Sequence, residues 1–413
     1  MYGLRRVVIT GMGAITPAGN NCEELWNSVK TGNSGVDRIT LFDPKDFPTQ
    51  IAAEVKNFNP VEIFGSKDEK KMDRMSHFAL FCARQAIKDS GLNFDNENRE
   101  RIAVLFGSGI GGISTIEKQH SNFLEKGPSK ISPFLIPMMI IDMTSGLISM
   151  DVGAKGPNFS IVSACATGSH CIGEAGRIIA TGDADIAITG ASEAAVTPMG
   201  VGGFSSMKAL SRNNENPKIA SRPFDLNRDG FVIAEGGGAL ILEEYEHAKA
   251  RGARIYGELL GYGLSGDAYH MTQPAPEGEG AVRSIKMALK NSGVSPEQVD
   301  YYNAHGTSTK YNDFFETQAL KTSFGDLAYK LPVSSTKAIT GHMLAAAGAV
   351  EMIIVLKAMQ ENILPPTWNL QTPDPECDLD YIPCAPRNKT LNICMSNSLG
   401  FGGHNATLLV KKI

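Results

Sequence analysis

The chain has 413 residues, 42% of them hydrophobic and 20% charged, with 39 Lys and Arg against 44 Asp and Glu for a net charge of −5. That length admits one large core or two fused ones, and the composition is that of a globular protein rather than a disordered or fibrous one. The slight acidity gives no global pull toward nucleic acid or an anionic membrane, so an acidic partner would have to meet a local basic patch.

The N-terminal Met1-Tyr-Gly-Leu-Arg-Arg leads directly into Val7-Val-Ile-Thr10, a β-branched run read as a strand buried on both faces. Its apolar stretch is too short for a secretory leader, and no segment approaches the ~18 apolar residues of a membrane span, so membrane insertion is not expected. Apolar residues at helical spacing predict a helix over His77–Asp89. Ile102-Ala-Val-Leu-Phe106 is the next strand and runs into Gly107-Ser-Gly-Ile-Gly-Gly112. That loop lacks the Gly-Lys-Ser/Thr ending of a P-loop and a full GxGxxG, which argues against nucleotide binding.

Ile161-Val-Ser-Ala-Cys165-Ala-Thr-Gly168 then breaks from a strand-like apolar run into small residues, and a helical pattern follows over His170–Ala180. A lone cysteine is most often a core residue. At a helix N-terminus, however, unpaired N–H groups and the macrodipole favour the thiolate, so Cys165 is expected to be an acidified nucleophile. Cys171, six residues on, is expected to face away into the core.

Strands are predicted at Ile186-Ala-Ile-Thr189 and Ala239-Leu-Ile-Leu242, followed by a charged helix over Glu243–Arg251. Beyond it come a helix over Gly280–Asn291 and a capping-box start at Ser295-Pro-Glu-Gln298. A strand at Val299–Asn303 and a helix over Ala345–Gln360 complete the pattern. This alternation argues for α/β layers on a mainly parallel sheet. The 43 glycines cluster at the ends of apolar runs, where they suit tight turns and close backbone approach. Seven cysteines, an odd number without CxxC spacing, argue against a disulfide framework and a zinc site and favour a reducing cytoplasm.

Two more segments have the form of the Cys165 region: Asn303-Ala-His305-Gly-Thr-Ser-Thr309 and Ser335-Thr-Lys337-Ala-Ile-Thr-Gly-His342. Ser163–His170 and Ser335–His342 echo one another, which suggests two halves of related build dividing near residue 255. Residues 1–255 would then carry the cysteine and 256–413 the two histidines. Three chemistry-bearing residues at strand ends can converge at one end of a sheet, and Cys with His is compatible with several acyl-transfer chemistries.

Ala164–Gly168, Asn303–Thr309, Thr336–His342 and Gly400-Phe-Gly-Gly403, in this order and at this separation, narrow the choice. With Ser221–Asp225, Asp229–Phe231 and Asp267–Thr272, they resemble the β-ketoacyl-[acyl-carrier-protein] synthases, most closely the elongating type II enzymes of fatty acid synthesis. The resemblance covers essentially the whole chain. It implies an α/β thiolase-like fold, a duplicated architecture of alternating αβαβα layers, assembled as a cytoplasmic homodimer. It also implies an acyltransferase that condenses malonyl-carrier protein with an acyl chain held on Cys165, releasing carbon dioxide and giving the 3-oxoacyl thioester.

The same resemblance assigns roles. His305 and His342 would present neutral N–H donors to the enolate oxygen, and the backbone N–H groups of Cys165 and Phe401 would form the second oxyanion hole. Lys337 would support the hydrogen-bond network by orienting His342, with Glu351 a buried structural carboxylate. Thr307 and Thr309 would bind the phosphopantetheine arm, with a part for Thr272. Ile110 and Phe204 would line the acyl pocket, and Phe401 would gate access to the acyl-cysteine. Lys67, Lys70, Lys71, Lys130 and Lys208 would dock the acidic acyl-carrier protein, although a solvated charged face is the plainer reading of any lysine cluster. His270 is read as structural. No cofactor or metal is implied, because the phosphopantetheine arm arrives on the carrier.

Five positions depart from the pattern: Leu399 for phenylalanine, His404 for threonine, Lys310 for proline, Ser129 for arginine and Ala345 for glycine. None removes a catalytic group, and a ketosynthase dedicated to an unusual lipid or polyketide would be consistent with them. A non-catalytic partner resembling a chain-length factor would lack the cysteine. The initiating type III synthases pair Cys and His with Asn, and a degradative thiolase would place a second cysteine in a Cys-Gly-Gly context that Cys394 lacks.

Overall fold

The computed structural model describes residues 4–413, so the first three residues of the N-terminal run lie outside it. Ten strands form one hydrogen-bonded sheet: β1 (Val7–Ile15), β2 (Ile102–Gly107), β3 (Asn158–Phe159), β4 (Ile186–Glu193), β5 (Gly236–Glu244), β6 (Gly257–Gly266), β7 (Tyr301–Asn303), β8 (Val333–Ser334), β9 (Ile393–Gly400) and β10 (His404–Lys411). Their order is β3-β2-β4-β5-β1-β6-β10-β9-β7-β8. Numbered within each half, both sets of five read 3-2-4-5-1 outward to inward, with the same succession of two parallel and two antiparallel pairings. The fold is thus a duplicated α/β unit. The halves meet at β1 and β6 through only two residue pairs, Val8 with Glu258 and Ile9 with Gly257.

Five of the long helices complete the layers: α1 (Arg74–Ser90), α2 (Thr167–Thr181), α3 (Glu279–Ser292), α4 (Lys310–Phe324) and α5 (Ala347–Glu361). Helix α1 starts at Asp73, whose carboxylate accepts from the Met75 N–H, and stops at Gly91, whose φ of 66° suits a residue without Cβ. It covers β1 and β5 from outside. The approach is close enough that a Cβ on Gly13 would lie 2.1 Å from the Cys82 carbonyl oxygen. Helix α3 covers β6 and β10 on the opposite outer face, with α4 beside it. Helices α2 and α5 lie between the two sheet halves and pack on strands of both. They touch through Gly168 and Gly348, whose added Cβ atoms would lie 2.8 Å from Ala345 O and 2.3 Å from Ser169 Oγ. Helix α5 is buried along nearly its whole length, as a central-layer helix must be.

Several elements differ from the sequence reading. Ile161–Ser163 is not a strand; the strand is Asn158–Phe159, exposed at the sheet edge. The capping box at Ser295 and Gln298 forms, yet it opens only a single 3₁₀ turn, Pro296–Gln298. The internal echo is real in topology but misregistered in sequence. Ala164–Ala166 and Leu344–Ala346 are matching 3₁₀ turns before α2 and α5, entered by Ala164 and Leu344 at φ 49° and 48°. Cys165 therefore corresponds to Ala345, and His342 lies just before the second turn. No helix is long and apolar enough to cross a membrane among the described residues.

Candidate active site

Cys165 sits in the turn ahead of α2 rather than on the helix, 6% exposed, with its sulfur directed into a cavity. Its Sγ lies 3.2 Å from His342 Nε2, and the backbone N–H groups of Phe401 and of Cys165 itself face it. Burial pushes the thiol up to about 12, against the downward pull of the Lys337 ammonium and those two N–H groups. This corrects the expectation of an acidified thiol, because desolvation outweighs the helix terminus here. Cys165 rests as a neutral thiol. Cys171 lies in the core, as expected.

His305 follows β7, and His342 follows the short helix Lys337–Thr340 and Gly341. Their rings stand perpendicular with centroids 5.2 Å apart. Donor atoms of Cys165, His305 and His342 all lie within 4.8 Å of one another. Burial, then the nearby Lys337 charge, holds both imidazoles well below the ordinary histidine value, so both are neutral. The backbone N–H groups of His305 and Gly306 each donate to the Glu316 carboxylate at 2.8 Å. The His342 backbone N–H donates to Val232 O at 2.8 Å, fixing the second ring to the chain ahead of β5.

Lys337 is buried, but it does not touch His342 as expected. Its Nζ donates to the His305 carbonyl and the Glu351 carboxylate and lies 3.5 Å from His305 Nδ1. The reason is topological: Lys337 starts a one-turn helix whose side reaches back under β7, while His342 lies past the far end. An ammonium can only donate, so Nδ1 of His305 accepts and its hydrogen sits on Nε2. Glu351 is buried as expected, pushed up to about 7 by desolvation although Lys337 opposes the shift.

These groups open onto a cavity of about 540 Å³. Ile110, Phe204 and Leu399 line it as apolar wall, and Phe401 and Thr272 also face it. Thr307 and Thr309 line it with their hydroxyls 2.9 Å apart; Thr309 stands at the N-cap of α4 without spending its side chain on the cap. Gly400 brings the Phe401 backbone against the nucleophile: a Cβ there would lie 2.6 Å from Ser163 O and 3.3 Å from Cys165 N. Lys208 and the unexpected Lys310 also line the cavity and are exposed. Lys67, Lys70 and Lys130 are exposed away from the cavity, and Lys71 is ion-paired with Asp68 at 2.7 Å. His270 is exposed and its Nδ1 accepts from the N–H groups of Thr272 and Gln273, a loop-shaping role.

Sequence reasoning gave no role to Phe231, Glu316 or Glu193. The Phe231 ring stands edge-on to His342 with centroids 5.1 Å apart. Glu193 ends the buried strand β4, and a charged residue closing an apolar run was the available signal. Cys165, His305 and His342 converge closely enough for a metal ion, but a protonated thiol, two neutral rings and an adjacent ammonium make a poor cation site without deprotonation.

Residues 4–248 match the β-ketoacyl synthase N-terminal domain and residues 256–371 its C-terminal domain. The chain is 52% identical over 409 residues to a 3-oxoacyl-[acyl-carrier-protein] synthase 2 of Coxiella burnetii, covering 99% of both chains. It is 51% identical over 408 residues to the protein of the same name in Synechocystis, covering 99% of this chain and 98% of the other. Among solved structures, a type II polyketide acyl-carrier protein in complex with its ketosynthase bound to the hexaketide is similar, at TM-score 0.92 and 36% identity over 99% of this chain and 100% of that one. A β-ketoacyl synthase from Burkholderia phymatum matches at TM-score 0.92 and 35% identity, with the same coverage.

Proposed function

This chain belongs to the β-ketoacyl synthase family, and from that premise we propose how its residues carry out the condensation of fatty acid elongation. It is a 3-oxoacyl-[acyl-carrier-protein] synthase of the second type, an acyltransferase that needs no free cofactor because the phosphopantetheine arm belongs to the carrier substrate. In the first half-reaction the Cys165 sulfur attacks the acyl thioester. The carbon–sulfur bond to pantetheine breaks, and the Cys165 proton leaves with the departing thiol. In the second, the malonyl thioester loses its carboxylate as carbon dioxide, and the electron pair moves onto the thioester oxygen.

His305 and His342 receive that oxygen. A neutral imidazole N–H stabilises an enolate yet is too weak an acid to quench it, whereas an imidazolium would protonate the carbon. Donors set in place beforehand contribute about 3–4 kcal/mol each. The enolate carbon then attacks the acyl-cysteine carbonyl, whose oxyanion meets the N–H groups of Cys165 and Phe401. Collapse breaks the bond to Cys165 and releases 3-oxoacyl-carrier protein, and the departing thiolate takes a proton from water to return the thiol. The observation that carries this reading is the convergence of Cys165 Sγ and two neutral imidazoles inside one cavity.

Thr307 and Thr309 hold the amides of the arm, with Thr272 beside them, and the acyl chain extends along Ile110 and Phe204. Lys208 at the cavity, with Lys67, Lys70, Lys71 and Lys130 on the surface, receives the acidic carrier. Division of labour between residues 1–255 and 256–413 places the sulfur in one half and the rings in the other. We assign the protein to the cytoplasm, a compartment suited to its seven unpaired cysteines. A homodimer would cover the exposed edge strand β3 and the apolar side chains Phe134, Ile136 and Val162. Incubation with acyl- and malonyl-carrier protein should release carbon dioxide and 3-oxoacyl product in equal amounts. A folded protein that forms neither would overturn the assignment.

A further inference from the structure

Glu193 is completely buried, lines the active-site cavity and takes no part in the steps above. Its carboxylate gathers donors from two separate segments. From the loop after β2 it accepts the Ser108 hydroxyl at 2.7 Å and the N–H groups of Gly109 and Ile110 at 2.9 and 3.3 Å. From the turn before α5 it accepts the Ala345 N–H at 3.4 Å. The contact is tight: a Cβ on Gly109 would lie 2.8 Å from Glu193 Oε2 and 3.7 Å from Ala164 Cα. No cation pairs with Glu193 among the described residues, and burial pushes its carboxyl up to about 7 against the downward pull of these donors. The three backbone N–H groups cannot accept, so a proton on this carboxylate would have only the Ser108 hydroxyl to bond.

The loop that donates to it carries Ile110, a wall of the cavity, and the turn that donates to it directly follows His342. We propose that Glu193 is a positioning residue that clamps the Ile110 wall of the acyl pocket to the turn behind His342. The clamp occupies the amides of this glycine-rich loop with a carboxyl group of the protein itself. It also gives Ala345, the counterpart of Cys165 in the second half, a function through its backbone. The inference rests on the reading of the cavity as an acyl pocket.

The test is E193Q, which keeps the shape but turns one acceptor into a donor facing N–H groups. Condensation with long acyl chains, which reach the Ile110 wall, should fall about tenfold more than with short ones. Simple loosening of the fold would lower both chain lengths equally. S108A, which removes one donor of the same loop, should reproduce the chain-length effect, and E193D, which keeps a carboxylate acceptor, should restore part of the long-chain activity. Equal losses for all chain lengths in E193Q overturn the proposal. Wild-type condensation across chain lengths is the control that tests the acyl-pocket reading separately.

Discussion

Cys165, His305 and His342 share one cavity and, in the proposed mechanism, divide the chemistry, so removing them should give different defects. C165A should abolish condensation while malonyl-carrier decarboxylation persists, because both imidazoles remain. H342A should still form the acyl-cysteine, measured by mass of the modified protein, while decarboxylation slows about 10²–10³-fold. Equal loss of both activities in C165A would contradict this division. The protonation states give a second outcome. Both histidines lie well below the ordinary value of 6.5, so acidification from pH 7.5 to 6 leaves them neutral. The histidines should therefore contribute no titration to carbon dioxide release by C165A across that range, and a change centred near 7 would report Glu351 instead. A decline centred near 6.5 would mean that the rings titrate normally.

At the scale of elements, the site depends on turns that place backbone against backbone. Gly400 ends β9 against Ser163 and Cys165, and a methyl there would overlap Ser163 O. G400A should therefore displace the Phe401 N–H from the sulfur and lower the rate of Cys165 acylation by at least about tenfold, with little change in the thermal midpoint. Failure of that separation, with stability and acylation falling together, would assign Gly400 a purely structural part. Helices and strands in this protein were legible where periodicity spoke: His77–Asp89 lies within α1, His170–Ala180 within α2 and Gly280–Asn291 within α3. The Cys165 and His motifs were legible as well, since small residues, a nucleophile and imidazoles stand in a distinctive order. What periodicity cannot report is depth. The thiol was expected to be acidic because its place near a helix start is visible in the chain, while the desolvation that outweighs it is not. Lys337 was paired with the wrong histidine for a similar reason: proximity in sequence favoured His342, but β7 and β8 lie side by side and bring His305 closer.

For the whole molecule, charge and symmetry matter most. An overall charge of −5 must coexist with attraction to an acidic carrier, which the exposed Lys67 and Lys70 can provide locally. Reversing both to Glu should raise KM for acyl-carrier protein about tenfold and leave kcat nearly unchanged, with weaker salt dependence than the wild type. An unchanged KM would remove these lysines from the docking surface.

The repeated 3-2-4-5-1 order has a further consequence. One copy of the blueprint kept a sulfur at its central turn and the other an alanine at the matching place, while both rings came to reside on the sulfur-free copy. The twins have become interdependent: either one, folded by itself, would hold a tether without an electron sink or an electron sink without a tether.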